Sequence, residues 1–434
     1  MQVKPIEEQV IVLVGATSGI GRAAAYRFAE RGARLVLAGR SLPALLLLVD
    51  EVRERGGQAL AVQADVTDVA QVQAVAERAE AEYGRIDTWI NCAAVAIYAP
   101  FEKISSDEFK RVIDVNLTGQ VHGAMAVMPV FRRQRSGTFV QVSSVEARRS
   151  FPYHTPYTAS KFALRGFLDA LRMEVEYEGL PVAIVNVMPS SINTPFFDKA
   201  LTRMGAKPRP VPPVYTPELA AETLLYVAEH PVREIYVGGV GKLAGLLQRL
   251  SPALADRLLL PMSRRGQVSD QPKSADAPNN LYQHVSGQDR VSGSYSDEAK
   301  PVSLYSLWST RPALRWGTVA LLMAAGAVMS ARAFNLPEKV NAAAQRNRLP
   351  EKARGAARQA QRTVRAAARQ AAGSTRKTSW LARRLPWLPR RKSRREKLLE
   401  AGRDLLYLGT GAGMAAWAGG KRVLGRGLQA ARRG

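Results

Sequence analysis

A single cysteine, Cys92, among 434 residues excludes an internal disulfide framework and fits a reducing compartment. The opening stretch MQVKPIEEQV lacks a basic segment leading into an apolar one, so no secretory signal is expected there. The uncharged segments 316–331 and 405–420 hold 16 residues each. That is about 24 Å of helix, short of the roughly 20 residues a bilayer core demands, so neither makes a secure membrane span. No internal repeat is visible, and no metal site is expected. Acidic residues are scarce in one place only: residues 301–434 carry 28 Lys and Arg against 5 Asp and Glu.

That scarcity divides the chain. Residues 1–261 hold 29 basic and 27 acidic residues, and residues 262–300 hold five of each, so the net +25 resides almost wholly in the C-terminal stretch. A nearly neutral body carrying a basic tail predicts an anionic partner for the tail. Residues 262–300 are rich in Ser, Gly, Asp and Pro and read as a flexible polar linker. With 46% hydrophobic residues the body has material for a sizeable core.

Within 1–261, apolar runs alternate with helix-length amphipathic segments. Strands are expected at VIVLV (10–14), RLVLAG (34–39), ALAVQAD (59–65), IDTWINC (86–92), GTFVQVS (137–143), VAIVNVM (182–188) and EIYVGG (234–239). Strands apolar throughout, separated by segments such as VAQVQAVAERAEAEYG, predict an α/β fold: a doubly wound parallel sheet of seven strands, of Rossmann type. The 301–434 extension is expected to be mainly helical or partly disordered.

Behind the first strand lies VGATSGIGRAAAYRF, with Gly15, Gly19 and Gly21 between strand and helix. Such a turn lets backbone N–H groups and a helix N-terminus meet a dinucleotide diphosphate. Further motifs follow in order: ADV (64–66), NCAA (91–94), VNLTG (115–119), VSS (142–144), YTASK (157–161) and PSSINT (189–194). Over residues 8–240 this series resembles the short-chain dehydrogenase/reductase family. The chain departs from the family pattern at Val14, Ala94 and Ser190. The resemblance implies that Gly15, Thr17, Ser18, Gly19, Ile20, Gly21, Asp65, Val66, Asn91, Ala93, Pro189, Ile192 and Thr194 contact a nicotinamide coenzyme.

Tyr157 and Lys161 stand four apart, on one face of one helix, and an adjacent ammonium is expected to pull a phenol pKa downward. The resemblance implies that Tyr157 is the acid/base and that Lys161 also holds the nicotinamide ribose. It further implies that Ser144 polarises the substrate oxygen and that Asn116 positions a water between Lys161 and solvent. The second strand ends in Gly39 and Arg40 with no carboxylate to accept from ribose hydroxyls, whereas Arg40 suits a 2′-phosphate. NADP(H) is therefore favoured over NAD(H). The segment after Thr194 is expected to form a lid, and Phe196, Phe197, Tyr215, Tyr98 and Phe101 suggest an apolar substrate.

In the tail, Arg354, Arg358, Arg362, Arg365 and Arg369 form a stripe on an alanine-rich helical pattern, and Trp380 and Trp387 are interleaved with arginines. An anionic membrane surface is the favoured partner, nucleic acid the less favoured one. The expected function is NAD(P)(H)-dependent interconversion of a carbonyl and an alcohol on a small molecule, in a cytoplasmic protein, peripherally membrane-attached through its tail. The alternative is a catalytically silent nucleotide-sensing or scaffold protein acting through that tail. Family habit implies a homodimer or homotetramer.

Overall fold

The computed structural model describes residues 3–262 and 266–311, and parts of 313–330. Seven parallel strands form one sheet: β1 (Val10–Val14), β2 (Arg34–Gly39), β3 (Gln58–Gln63), β4 (Thr88–Asn91), β5 (Gly137–Val142), β6 (Val182–Pro189) and β7 (Glu234–Val237). Their spatial order is β7-β6-β5-β4-β1-β2-β3, so the chain winds outward from β1 in one direction and then in the other. The expected strands all form, several of them one or two residues shorter at an end.

The pleat explains the apolar runs. Ile11 and Leu13 pack into the layer on one face with Phe28, Leu35, Leu48 and Leu224. Val12 and Val14, alternate residues of the same strand, pack into the other with Trp89, Val127 and Phe131. Both faces are covered, so no strand needs a polar side. The flanking helices include α1 (Gly19–Glu30), α2 (Leu42–Glu54), α3 (Val69–Tyr83), α4 (Ser106–Ile113), α5 (Gly119–Gln134) and α6 (Thr155–Tyr177). Local chemistry sets their ends. Asp68 caps α3 by accepting from Ala70 N at 2.9 Å, and Gly84 closes it in the left-handed conformation. Ser105 and Glu108 form a reciprocal capping box on α4. A π-turn, Asp114–Thr118, joins α4 to α5 and carries Asn116.

Beyond β6 come the short helix α7 (Phe196–Lys199), then α8 (Pro217–Glu229), α9 (Val240–Leu250), α10 (Pro252–Leu259) and α11 (Leu304–Thr310). The described part of 262–300 is not a free linker. Val268–Pro272 pairs antiparallel with Ala206–Pro208, and Ala299–Lys300 pairs with Val214–Tyr215. Leu281 is 1% exposed within the core. Side chains tie the segment and the body together in both directions: Arg111 Nε of the body donates to Leu281 O at 3.0 Å, and Lys273 Nζ of the segment donates to Asp198 O and Ala200 O of the body at 2.7 and 2.9 Å. Polar composition signalled that the segment would not form its own core. It could not signal that the body's cations would satisfy its carbonyls.

The boundary at 301 shifts as well. Ser306 Oγ of α11 accepts from Gly238 N at 3.0 Å, and Tyr305 meets Tyr236 edge to face. Of the segment 316–331 only parts are described, residues 313–319 being helical. The segment 405–420, the arginine stripe and both tail tryptophans lie outside the described residues. Among the described residues, no helix is long and apolar enough to cross a membrane.

Candidate active site

The C-terminal ends of β1, β4, β5 and β6 open into one cavity of about 300 Å³. The glycine turn forms its floor. Gly15 has φ +86°, and a Cβ there would stand 2.6 Å from Ala93 N; a Cβ on Gly21 would stand 2.2 Å from Gly15 O. Only glycine lets the turn fold this tightly against the end of β4. Ser18 occupies the N-cap of α1 without capping it through its side chain, so the helix presents N–H groups at its positive end. One of them, Gly19 N–H, donates to Arg290 O at 2.9 Å.

The same cavity is lined by Thr17, Ser18, Gly19 and Ile20 of the turn, by Arg40 after β2, and by Asp65 and Val66 after β3. Ala93, Pro189, Ile192 and Thr194 complete that wall. Two residues expected at the coenzyme or in the relay do not line it. Asn91 is 1% exposed and its amide is spent on Gln120 O and Gln141 Oε1. Asn116 is fully buried, its amide clamping Val95 through Val95 N at 2.8 Å and Val95 O at 2.9 Å. Asn116 thus braces backbone that does line the cavity, at Val95, whereas Asn91 ties β4 to Gln120 and Gln141 behind it.

Arg40 reaches the cavity but is already engaged. Its guanidinium donates to Asn280 O at 3.0 Å and Tyr282 O at 3.1 Å, both in the strap 280–293 that crosses this side of the site. Asp65 accepts from Thr67 and pairs with Arg111 at 3.2 Å; despite burial, those bonds hold its carboxyl below the usual range.

Ser144, Tyr157 and Lys161 converge at the other end. Ser144 ends the run after β5, and α6 presents Tyr157 and Lys161 one turn apart. Tyr157 is 8% exposed and Lys161 1%, with Lys161 Nζ 5.3 Å from the Tyr157 ring centre and 3.4 Å from Val142 O. The expected downward pull on the phenol is not realised. Burial, reinforced by the charge of Glu146, raises the Tyr157 pKa, and a hydrogen bond from Ser144 opposes this only in part. Burial also lowers Lys161 to about 8, which weakens the cation meant to do the pulling.

Two neighbours of this group carry no motif in the sequence. Glu146 accepts from Thr158 Oγ1 at 2.5 Å and bonds His154 Nδ1 at 2.9 Å, and both Glu146 and His154 line the cavity. His154 lies between Tyr98, at 3.9 Å between ring centres, and Tyr157, at 5.1 Å. Nothing in their spacing marked them; only the fold of the loop before α6 brings them together. Phe196 and Phe197 complete an aromatic wall with Tyr98, while Tyr215 belongs to the main core and Phe101 is 65% exposed.

Comparison with known proteins agrees with this architecture. The family profile described as short chain dehydrogenase matches residues 9–204. An uncharacterized oxidoreductase, YxnA of Bacillus subtilis, is 34% identical over 335 residues, covering 76% of this chain and 94% of that one. An alignment that long takes in the strap. Dehydrogenase/reductase SDR family member 7B of Bos taurus is 31% identical over 275 residues, covering 61% of this chain and 84% of its own. Among solved structures, a short chain dehydrogenase/reductase from Burkholderia phymatum in complex with NAD superposes with a TM-score of 0.53 at 25% identity, covering 58% of this chain and 96% of that one. The chain belongs to the short-chain dehydrogenase/reductase family.

Proposed function

We propose that this short-chain dehydrogenase/reductase interconverts a carbonyl and an alcohol, with NADP(H) favoured over NAD(H). The observation that carries the reading is convergence: Ser144, Tyr157 and Lys161 share one cavity with the glycine turn and its helix N-terminus. The donors suit a dinucleotide, since the turn offers backbone N–H groups and positive potential for a diphosphate, and the Asp65–Val66 corner offers an acceptor and an apolar face for adenine. Bound nicotinamide supplies the hydride acceptor or donor.

The chain's own residues then handle the proton. Tyr157, held in its neutral form by burial, donates to the carbonyl oxygen in the reductive direction and accepts in reverse. Ser144 bonds the same oxygen where charge develops. Lys161 lies close enough to steady the tyrosinate electrostatically once it forms. The aromatic wall of Tyr98, Phe196 and Phe197 excludes water and favours an apolar substrate. Preference for NADP(H) rests on the absence of a carboxylate after β2 and on the cations at that end of the cavity. The test is coenzyme oxidation against a panel of ketones and aldehydes, with Tyr157→Phe as control. No turnover of any member by the wild type, despite coenzyme binding, favours the nucleotide-sensing or scaffold alternative.

A further inference from the structure

The last residue of α7 turns inward. Lys199 is 9% exposed and lines the cavity, and its Nζ donates to Ser18 Oγ at 2.7 Å. An ammonium has three protons to place, and one neutral hydroxyl does not offset the loss of water around a buried charge. Among the described residues no carboxylate comes within ion-pairing distance of it. Asp198, its chain neighbour, is taken by Lys207 at 2.9 Å and Arg290 at 2.8 Å. Asp289 favours the Lys199 charge but does not pair with it, and it is bonded to His284 at 3.1 Å.

Charged neighbours of both signs surround it without pairing with it. Burial lowers Lys199 to about 8; Asp289 and Asp198 work against that fall, and Arg40 and Arg290 work with it. Ser18 stands at the N-terminus of the twelve-residue α1, where the helix dipole is positive. A buried lysine, an arginine and a helix N-terminus therefore converge on one turn, and among the described residues no carboxylate pairs with that lysine. We infer that Lys199 is a ligand for a phosphate of the bound dinucleotide, delivered from α7 onto the glycine turn by its bond to Ser18.

This rests on the coenzyme reading above and adds a contact that the motif series does not contain. Two phosphates have the right chemistry, the diphosphate common to both coenzymes and the 2′-phosphate of NADP(H). Calorimetric titration of the full chain with NADPH and NADH, in the wild type and in Lys199→Met, decides between them. Loss of a charged hydrogen bond predicts weakening of about ten- to a hundredfold. Equal weakening for both coenzymes assigns Lys199 to the diphosphate, and weakening confined to NADPH assigns it to the 2′-phosphate. The ligand-free melting temperature of the variant is expected to hold or rise, because an uncompensated buried charge has been removed. Unchanged affinity for both coenzymes overturns the inference and leaves the coenzyme reading standing. Weakened binding accompanied by a steep fall in ligand-free melting temperature also overturns it, by showing a structural lysine. A wild type that binds neither coenzyme overturns both.

Discussion

Lys161 Nζ lies 5.3 Å from the centre of the Tyr157 ring, and burial drives the two groups toward neutrality from opposite sides. The phenol is held protonated while the ammonium is made easier to lose. This pair is thus set as a neutral proton donor beside a weak cation, which suits protonation of a carbonyl oxygen. Replacing Tyr157 by Phe removes only the hydroxyl. Turnover is expected to fall by about 10²–10⁴-fold, with coenzyme affinity nearly unchanged. Steady-state kinetics beside calorimetric titration checks this, and a variant retaining half its activity contradicts the assignment.

Lys161 at about 8 predicts the pH dependence. Carbonyl reduction is expected to be level below that pH and to decline above it, as the charge supporting the tyrosinate disappears. A rate that rises through pH 8 speaks against the role given to Lys161. Stability follows the same groups. The folded values of Lys161 and Lys199, both about 8, lie below the ordinary 10.5. Between pH 8 and 10 the unfolded chain therefore binds more protons at these sites, and their contribution to stability rises with pH. Melting curves of the coenzyme-free protein, wild type against Lys199→Met, are expected to converge across that window.

Arg40 lines the cavity and donates to three carbonyls of the strap, those of Asn280, Tyr282 and Gln283. Arg40→Asp is expected to weaken NADPH more than NADH, and also to release the strap by removing donors to Asn280 O and Tyr282 O. Hydrogen exchange at residues 280–283 resolves the second effect from the first. Exchange as slow as in the wild type would show that the strap is held without Arg40.

Leu281 anchors that strap in the core. Leu281→Ala is expected to cost about 2–5 kcal/mol, as for other buried leucines, and to lower the melting temperature of the body. A change within error would mean that the segment is peripheral to folding.

Cys92 is pushed up to about 12 by burial, far from the range of a reactive thiol. Iodoacetamide at neutral pH is expected to modify the native protein slowly and the denatured protein fully, with mass spectrometry as the readout. Rapid native alkylation would show that the Lys161 charge, beside this half-buried thiol on the cavity wall, outweighs burial.

The sequence by itself determined the sheet, because seven runs apolar on both faces have no stable home except between two helical layers. It determined the glycine turn and the Tyr157–Lys161 pair too, since backbone clearance and helical spacing are local properties. Tertiary structure alone decided what surrounds them. Whether Tyr157 is made more or less acidic depends on burial and on Glu146, eleven positions away in the chain, and the sign is the reverse of the local expectation. Asn91 and Asn116 turn out to brace backbone, because their amide partners come from Gln120, Gln141 and Val95 through chain crossings that no spacing records. Lys199 and the strap reach the glycine turn from nearly two hundred residues away or more. A polar composition tells that such a segment will not form a core of its own, and only the folded body determines whose carbonyls and charges it meets.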